Sequence, residues 1–149
     1  MKLVIQRVTE AQVSTGGETL SRIGAGMMVL VGIHADDTEA DVEAMARKTA
    51  ALRIFDDADG VMNLSVTQTG GEILAVSQFT LLAQTRRGNR PSYIEAARPE
   101  KAEPLYELYC RRLGELTGQS VGRGRFGADM KVSLVNDGPV TIIMDTRAQ

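Results

Sequence analysis

The C-terminal segment KVSLVNDGPVTIIMD, residues 131–145, reads as a β-strand that is interrupted in its middle. Apolar residues alternate with other residues on both sides of the interruption, as is typical of a half-buried strand. These apolar residues are Val132, Leu134, Val140, Ile142 and Met144. The interruption, residues 136–139, contains a proline, which cannot donate a hydrogen bond within a central sheet. It is therefore interpreted either as the tight turn of a hairpin or as a loop with a function of its own.

The rest of the chain predicts an α+β domain. Alternating or short apolar runs predict strands at residues 2–14, 18–23, 27–33 and 72–80. Thr38, followed three residues later by Asp41, has the spacing of a capping box and predicts a helix over residues 38–51. A second helix is predicted over residues 100–117. Strands separated by two helices indicate an α+β domain or a barrel with helices against it, and residues 1–149 suit one domain.

The composition is typical of a soluble globular protein, with 43% hydrophobic and 24% charged residues. No apolar run approaches the ~20 residues that cross a membrane. The N-terminal segment is interrupted by polar residues, unlike a signal peptide. The expected location is therefore the cytoplasm.

Cys110 and His34 are the only cysteine and the only histidine. An internal disulfide and a metal site built from histidine or cysteine ligands are excluded by number, although carboxylate metal sites remain open. Cys110 lies in a helical pattern, where a buried apolar role is favoured over a nucleophile.

The charges are distributed unevenly along the chain. Residues 1–80 carry 6 basic and 11 acidic residues, whereas residues 81–149 carry 11 basic and 8 acidic residues. A basic half can form a surface that binds a polyanion, but solvated arginines would produce the same count.

Three stretches could carry chemistry. Residues 77–81, SQFTL, place hydroxyl groups at a strand end, where they could serve a nucleophile or an oxyanion hole, but no base is adjacent and a structural role is favoured. Residues 85–93, TRRGNRPSY, combine arginines with an aromatic ring, as suits phosphate contacts, and a solvated loop is equally compatible. The third stretch, residues 136–141, is best interpreted from its spacing as a hairpin turn.

In combination, these stretches resemble the D-aminoacyl-tRNA deacylases. The resemblance rests on SQFTL at 77–81, RGNRPSY at 87–93 and GRFGADMKVSLVNDGPVT at 124–141. It extends to IQRV at 5–8 and MNL at 62–64, and so covers almost the whole chain. Each motif alone is weak, but their ordered combination is specific.

The resemblance implies a compact barrel-like domain with flanking helices that acts as a homodimer, with active sites at the dimer interface. It implies hydrolysis of the ester between a D-amino acid and the 3′-terminal adenosine of tRNA, and removal of glycine mischarged on alanine tRNA. Neither activity requires a metal or an organic cofactor. The implied partner is aminoacyl-tRNA, and no membrane or DNA is implied.

The resemblance also gives the interrupted strand a role. Gly138 and Pro139 match a cis-peptide selectivity motif that one subunit inserts into the pocket of the other. There, rigid carbonyl groups would exclude an L side chain, so that discrimination rests on a clash with the wrong substrate. Glycine, without a side chain, would pass this filter. Arg7 matches a residue that holds the selectivity loop, although from the pattern alone it could be a strand arginine facing solvent.

The remaining functional residues follow from the same resemblance. Ser77, Gln78, Phe79 and Thr80 match a motif that lines the pocket, with backbone N–H groups near Gln78 and Phe79 binding the oxyanion. Thr80 could attack the ester, but the favoured mechanism has the 2′-OH of the terminal ribose activate water. A further set of residues matches a wall that shapes the adenosine site: Phe126, Ala128 and Met130.

Five arginines are candidates for phosphate contacts with the acceptor stem, a mode of binding that weakens with salt. They are Arg86, Arg87, Arg90, Arg123 and Arg125. Two alternatives stay open: a non-catalytic module that binds aminoacyl-tRNA, and a hydrolase of small esters, against which the missing catalytic triad argues.

Overall fold

The computed structural model describes residues 1–148 and has a mixed α+β architecture. In chain order its elements are β1 (Lys2–Thr15), β2 (Glu18–Ile23), β3 (Gly26–Gly32), α1 (Glu39–Ala51), β4 (Phe55–Asp56), β5 (Met62–Leu64), α2 (Val66–Thr69), β6 (Glu72–Ser77), a 3₁₀ helix (Phe79–Leu82), α3 (Pro99–Thr117), β7 (Gly122–Arg123) and β8 (Lys131–Asp145). No helix within residues 1–148 is both long enough and apolar enough to cross a membrane.

The long strand β1 is the centre of the main sheet. One of its edges pairs with β3 through residues 2–8 and with β2 through residues 11–15, and its other edge pairs with β8; all three pairings are antiparallel. The sheet continues from β3 through parallel pairings to β6 and then to β7. Two strands as long as β1 and β8 allow the sheet to coil, which gives a nearly closed, barrel-like form.

The two faces of the sheet bury different cores, as the alternation along β3 shows. Met27 and Val29 pack into a core shared with the helices α1 and α3. Met28 points to the opposite face, where it packs with residues such as Val13 and Leu74 in a second core inside the coiled sheet. The predicted barrel-like α+β fold with flanking helices is confirmed.

Helix α1 begins at the residue that the capping pattern predicts. Thr38 is its N-cap, and the Asp41 carboxylate accepts a hydrogen bond from the Thr38 N–H at 2.8 Å. On the buried face, the Thr49 hydroxyl donates to the Met45 carbonyl at 2.8 Å and lies 2.9 Å from the Tyr109 hydroxyl of α3. Because the Thr49 proton is already used, Tyr109 is the donor in this contact, which joins the two helices.

Strand β8 is not a hairpin, although it contains the Gly-Pro break. Both of its halves pair with β1: Thr141 lies opposite Gln6, and Asn136 lies opposite Val8. The four residues 137–140 therefore bulge outward opposite a single residue of β1, and we call them the Gly-Pro excursion. The interpretation of this segment as a hairpin turn is wrong, because the chain continues in the same direction beyond it. The peptide bond between Gly138 and Pro139 is cis.

The segment that follows β6 also differs from expectation. The predicted strand over residues 72–80 ends at Ser77, and a 3₁₀ helix follows.

A short hairpin of β4 and β5, residues 55–64, was not predicted. Its turn contains Asp57, whose carboxylate accepts hydrogen bonds from the N–H groups of Asp59 and Val61, at 2.9 and 3.1 Å.

Asp37 ties the start of β1 to the segment that precedes α1. Its carboxylate is 1% exposed and lies 2.6 Å from the Met1 amino group, 2.7 Å from the His34 N–H and 3.7 Å from the Arg147 guanidinium. Breaking a buried ion pair by removing one partner leaves the other charge uncompensated.

We therefore expect Asp37→Asn to lower the free energy of unfolding by about 3 kcal/mol. Urea denaturation followed by circular dichroism measures this change. Asp36→Asn is the matched control, since the Asp36 side chain is 77% exposed. Equal stability of the two variants would show that the Asp37 carboxylate does not contribute through this ion pair.

Candidate active site

A cleft of about 1210 Å³ opens at the carboxyl ends of β3 and β6. Ser77, Gln78 and Phe79 line one side of it, directly after β6 ends. The segment between β7 and β8 lines the opposite side through residues that sequence analysis selected: Phe126, Ala128 and Met130. Two distant motifs of the chain thus meet at one site. The start of α3 completes the wall with residues such as Arg98 and Lys101.

The end of β6 determines which backbone amides are free. The Gln78 N–H donates to the Val31 carbonyl at 2.7 Å, so this amide is not available to a ligand. Phe79 and Thr80 are the first two residues of the 3₁₀ helix, and their N–H groups have no backbone acceptor within residues 1–148. The amides of this segment that are free to donate to a ligand are therefore those of Phe79 and Thr80, and not the Gln78 amide.

The Thr80 hydroxyl has no base beside it. It accepts a hydrogen bond from the side-chain amide of Gln78, and no acidic or basic side chain of residues 1–148 hydrogen-bonds to it. The Nδ1 atom of His34 accepts a hydrogen bond from the Asp36 N–H at 3.0 Å. Burial raises the pKa of the Cys110 thiol to about 12. A nucleophile activated by an adjacent base is thus not found in the described part of the chain.

Aromatic rings border the cleft on both sides. Phe126 packs against the buried Tyr106 ring, with centroids 6.2 Å apart, and Tyr106 donates a hydrogen bond to the Ala75 carbonyl at 2.6 Å. At the opposite side, Phe79 and Tyr93 form an edge-to-face pair with centroids 5.1 Å apart. Phe79 remains 56% exposed and Tyr93 39% exposed, which leaves apolar surface at the mouth of the cleft.

Arg7 and Asn136 hold the Gly-Pro excursion from both sides. The buried Arg7 side chain donates to the Asp137 carbonyl at 3.2 Å and to the Ile54 carbonyl at 2.9 Å. The Asn136 amide donates to the Arg7 carbonyl and to the Val140 carbonyl, each at 3.0 Å. Sequence analysis selected Arg7 but missed Asn136, for which its place directly before the Asp-Gly-Pro sequence was the only signal.

The excursion does not line the cleft of its own chain. Gly138, Pro139 and Arg7 are absent from the cleft walls formed by residues 1–148, and both Gly138 and Pro139 are exposed. The structure therefore brings Ser77, Gln78 and Phe79 together with the predicted adenosine-binding residues. Thr80 is not among the residues that line the cleft, and the predicted selectivity residues lie apart from it.

The five selected arginines fall into two groups. Arg123 pairs with the Glu107 carboxylate, and Arg125 lies 3.8 Å from the Glu18 carboxylate. The other three arginines are exposed in the loop between the 3₁₀ helix and α3: Arg86, Arg87 and Arg90.

No group of three or more potential metal ligands among His, Cys, Asp and Glu occurs within residues 1–148.

Comparison with known proteins finds close relatives over nearly the whole chain. A family model described as D-Tyr-tRNA(Tyr) deacylase matches residues 4–145. The D-aminoacyl-tRNA deacylase of Porphyromonas gingivalis is 60% identical over 146 residues, which is 98% of this chain and 97% of the relative. The protein of the same name from Akkermansia muciniphila is 59% identical over 147 residues, which is 99% of this chain and 98% of the relative.

Two solved structures have the same fold. A structure titled c-Myc DNA Unwinding Element Binding Protein superposes with a TM-score of 0.92 at 43% identity, covering 99% of this chain and 100% of the other. A structure described as a probable eukaryotic D-amino acid tRNA deacylase superposes with a TM-score of 0.84 and covers 96% of this chain and 97% of the other. Its identity of 16% relates the two proteins by fold alone.

Proposed function

The chain belongs to the D-Tyr-tRNA(Tyr) deacylase family, and on this premise we propose that it hydrolyses the ester bond of D-aminoacyl-tRNA, releasing tRNA and the amino acid. The observation that carries the proposal is the cleft where residues 77–79 meet the segment 126–130, next to the Phe79 and Thr80 amides that have no backbone acceptor within residues 1–148. Such amides can stabilise the negative charge that develops on the ester carbonyl oxygen.

The proposed chemistry is attack by water on the ester carbonyl carbon. The carbonyl oxygen becomes an oxyanion that accepts hydrogen bonds from the Phe79 and Thr80 N–H groups. The bond from the carbonyl carbon to the ribose 3′-oxygen then breaks. The leaving 3′-oxygen takes a proton from the neighbouring 2′-OH, which is restored by the proton that the attacking water gives up. Because no base is beside Thr80, we assign the activation of water to the 2′-OH of the terminal ribose. Thr80 then positions Gln78 and does not attack.

We expect Thr80→Ala to keep hydrolysis of D-Tyr-tRNA within about tenfold of the unaltered protein, since it loses one side-chain hydrogen bond and keeps its backbone amide. A substrate whose terminal adenosine lacks the 2′-OH is expected to react at least about 100-fold more slowly. Single-turnover deacylation measures both rates. Complete loss of activity in a folded Thr80→Ala variant would assign the attack to the Thr80 hydroxyl.

We propose that discrimination between D and L substrates depends on a second copy of the chain. The cleft lacks the Gly-Pro excursion of its own chain, and the excursion is exposed and held by Arg7 and Asn136. A symmetric dimer allows each excursion to enter the other subunit's cleft. There it would crowd the position of an L side chain while admitting a D side chain. The same filter would admit glycine, so glycine mischarged on alanine tRNA is a second proposed substrate.

The proposed partner is aminoacyl-tRNA, bound through its terminal adenosine and acceptor stem, and the proposed location is the cytoplasm, where translation takes place. Within the adenosine site, Phe126, Ala128 and Met130 form the apolar wall. Ser77 ends β6 and lines the same cleft, and the proposal assigns it to the part of the pocket that holds the ester.

The test is hydrolysis of matched D-Tyr-tRNA and L-Tyr-tRNA by the purified protein in the presence of a chelator. Release of only the D amino acid is the expected result. Binding of both tRNAs without release would favour the alternative, a non-catalytic module that binds aminoacyl-tRNA. Release of both amino acids would retain the proposed ester chemistry and contradict the proposed filter.

A further inference from the structure

One loop of the C-terminal half carries basic side chains that form no ion pair with residues 1–148. Of the basic side chains in residues 81–148, all but three lie within 4.0 Å of a carboxylate oxygen or donate to a backbone carbonyl. The three exceptions form no ion pair with residues 1–148 and are exposed: Arg86, Arg87 and Arg90. No acidic residue occurs between Glu72 and Glu95, so the loop has no negative charge of its own.

This loop is closed at its base and anchored beside the cleft. Gln84 and Ser92 exchange two backbone hydrogen bonds, at 2.8 and 3.0 Å, which hold residues 85–91 as a projecting loop. Five residues after Ser92, the Ala97 N–H donates to the carbonyl of Ile33, the residue that follows β3, at 2.9 Å. The three arginines are therefore carried on a closed loop at a fixed place and not on a free tail.

An exposed aromatic ring connects the loop to the cleft. Tyr93 follows the loop directly, lines the cleft and is held edge-on against Phe79. It is 39% exposed, and the adjacent Ile94 is 83% exposed. Proteins that bind single-stranded nucleic acid combine aromatic rings, on which bases stack, with cations that contact the phosphates, and this segment carries both within residues 86–93.

We propose that the loop of residues 84–94 binds the unpaired 3′ segment of the tRNA as it enters the cleft. A base preceding the terminal adenosine stacks on Tyr93, and Arg86, Arg87 and Arg90 contact the phosphates of that single strand. Arg123 and Arg125 are assigned no such role, because carboxylates already engage them. The inference rests on the proposed function and specifies which part of the tRNA this loop contacts.

Binding of a fluorescent single-stranded RNA, ACCA, tests the assignment by anisotropy over a series of salt concentrations. Tyr93→Ala is expected to weaken binding about tenfold, whereas Tyr93→Phe keeps the ring and binds like the unaltered protein. Replacing the three arginines with glutamine is expected to reduce the salt slope of log K by about 0.7 for each arginine that contacts a phosphate. Arg111→Gln is the matched control, since Arg111 is exposed on α3 and ion-paired with Glu115.

Two further RNAs identify the contact. Full-length uncharged tRNA should show the same losses as ACCA, whereas tRNA trimmed of its unpaired 3′ nucleotides should bind the variants and the unaltered protein equally. Equal losses on trimmed tRNA would place the loop on the duplex stem and overturn the proposal. Unchanged binding of ACCA by the Tyr93→Ala and arginine variants, or no binding of ACCA by the unaltered protein, would also overturn it.

Deacylation of D-Tyr-tRNA separates this proposal from the proposed function. If the unaltered protein is active, the loop variants should raise KM with little change in kcat. An unchanged KM would overturn the loop assignment and leave the deacylase function intact. An unaltered protein that binds ACCA through the loop but hydrolyses nothing would overturn the deacylase function alone.

Discussion

Gly138→Ala is expected to turn L-Tyr-tRNA into a substrate. Gly138 has φ +123°, in a region that residues with a side chain rarely adopt. A Cβ atom there would lie 2.9 Å from the Val140 Cγ2 atom and 3.0 Å from the Arg7 Nη2 atom. Arg7 is fixed by its bonds to the Asp137 and Ile54 carbonyls, so the excursion must shift.

A shift of this kind matters because the proposed filter works by steric exclusion, which depends on position. A displacement of about 1 Å at such a site can change rates by about 100-fold, and we expect discrimination between D-Tyr-tRNA and L-Tyr-tRNA to fall by at least about tenfold. The measurement is the ratio of kcat/KM for the two substrates. Hydrolysis of the D substrate should change less, because the cleft and its amides are untouched.

Gly17→Ala is the matched control for this prediction. Gly17 has φ +81° in the turn between β1 and β2, and a Cβ atom there would meet nothing within 4 Å. The control carries the same kind of backbone strain without a clash and should reject L-Tyr-tRNA like the unaltered protein. If Gly138→Ala folds and also rejects L-Tyr-tRNA fully, the excursion is not the filter.

The excursion also shows where sequence reasoning reaches its limit. Alternation on both sides of Gly138-Pro139 identified two strand halves, but a hairpin and an outward bulge share this local pattern. The distinction depends on the partner strand β1, which lies more than 100 residues earlier in the chain and pairs with both halves. The only sign of this pairing in the sequence is the similar length of the segments 2–15 and 131–145. Local patterns do not predict which distant strands pair.

The end of β6 was misjudged for a similar reason. The apolar residues Phe79 and Leu81 continue the alternation of the strand, so the pattern extends to residue 80. In the structure the chain turns into a 3₁₀ helix that packs against Gly32 of β3, where a Cβ atom would lie 2.6 Å from the Leu82 side chain. The absence of a side chain at Gly32 makes room for this turn, and the residues near position 80 give no sign of this distant contact.

Structural features with a local sequence signal were predicted correctly, whereas contacts between distant parts of the chain were not. The helix that begins after Thr38 carries its signal within four residues, so its start was predicted correctly. The arginines illustrate the opposite case. Arg123 and Arg90 look alike in the sequence, but only the fold brings Glu107 against Arg123. For the cleft, the motif resemblance selected residues on both walls. It did not predict that the Gln78 N–H is hydrogen-bonded to the Val31 carbonyl, because that bond depends on how the chain pairs at the end of the sheet.

A heterodimer of two altered chains is expected to recover the discrimination that Gly138→Ala loses. The second chain carries Ala128→Trp, which places a large ring in the cleft wall and should block its own adenosine site. If each excursion acts in the partner's cleft, the only open cleft belongs to the Gly138→Ala chain and receives the unaltered excursion of the Ala128→Trp chain. The heterodimer should then hydrolyse D-Tyr-tRNA and reject L-Tyr-tRNA.

The experiment uses co-expression with two different tags and purification over both, followed by deacylation of both substrates. An excursion that acts within its own chain predicts the reverse result, because the open cleft would carry the altered excursion and hydrolyse L-Tyr-tRNA like the Gly138→Ala homodimer. A heterodimer of Gly138→Ala with the unaltered chain is the control, since one of its two clefts then faces an altered excursion and L-Tyr-tRNA hydrolysis should persist. Failure of the two tags to co-purify would show that the chain does not form the dimer on which the cross-subunit filter depends.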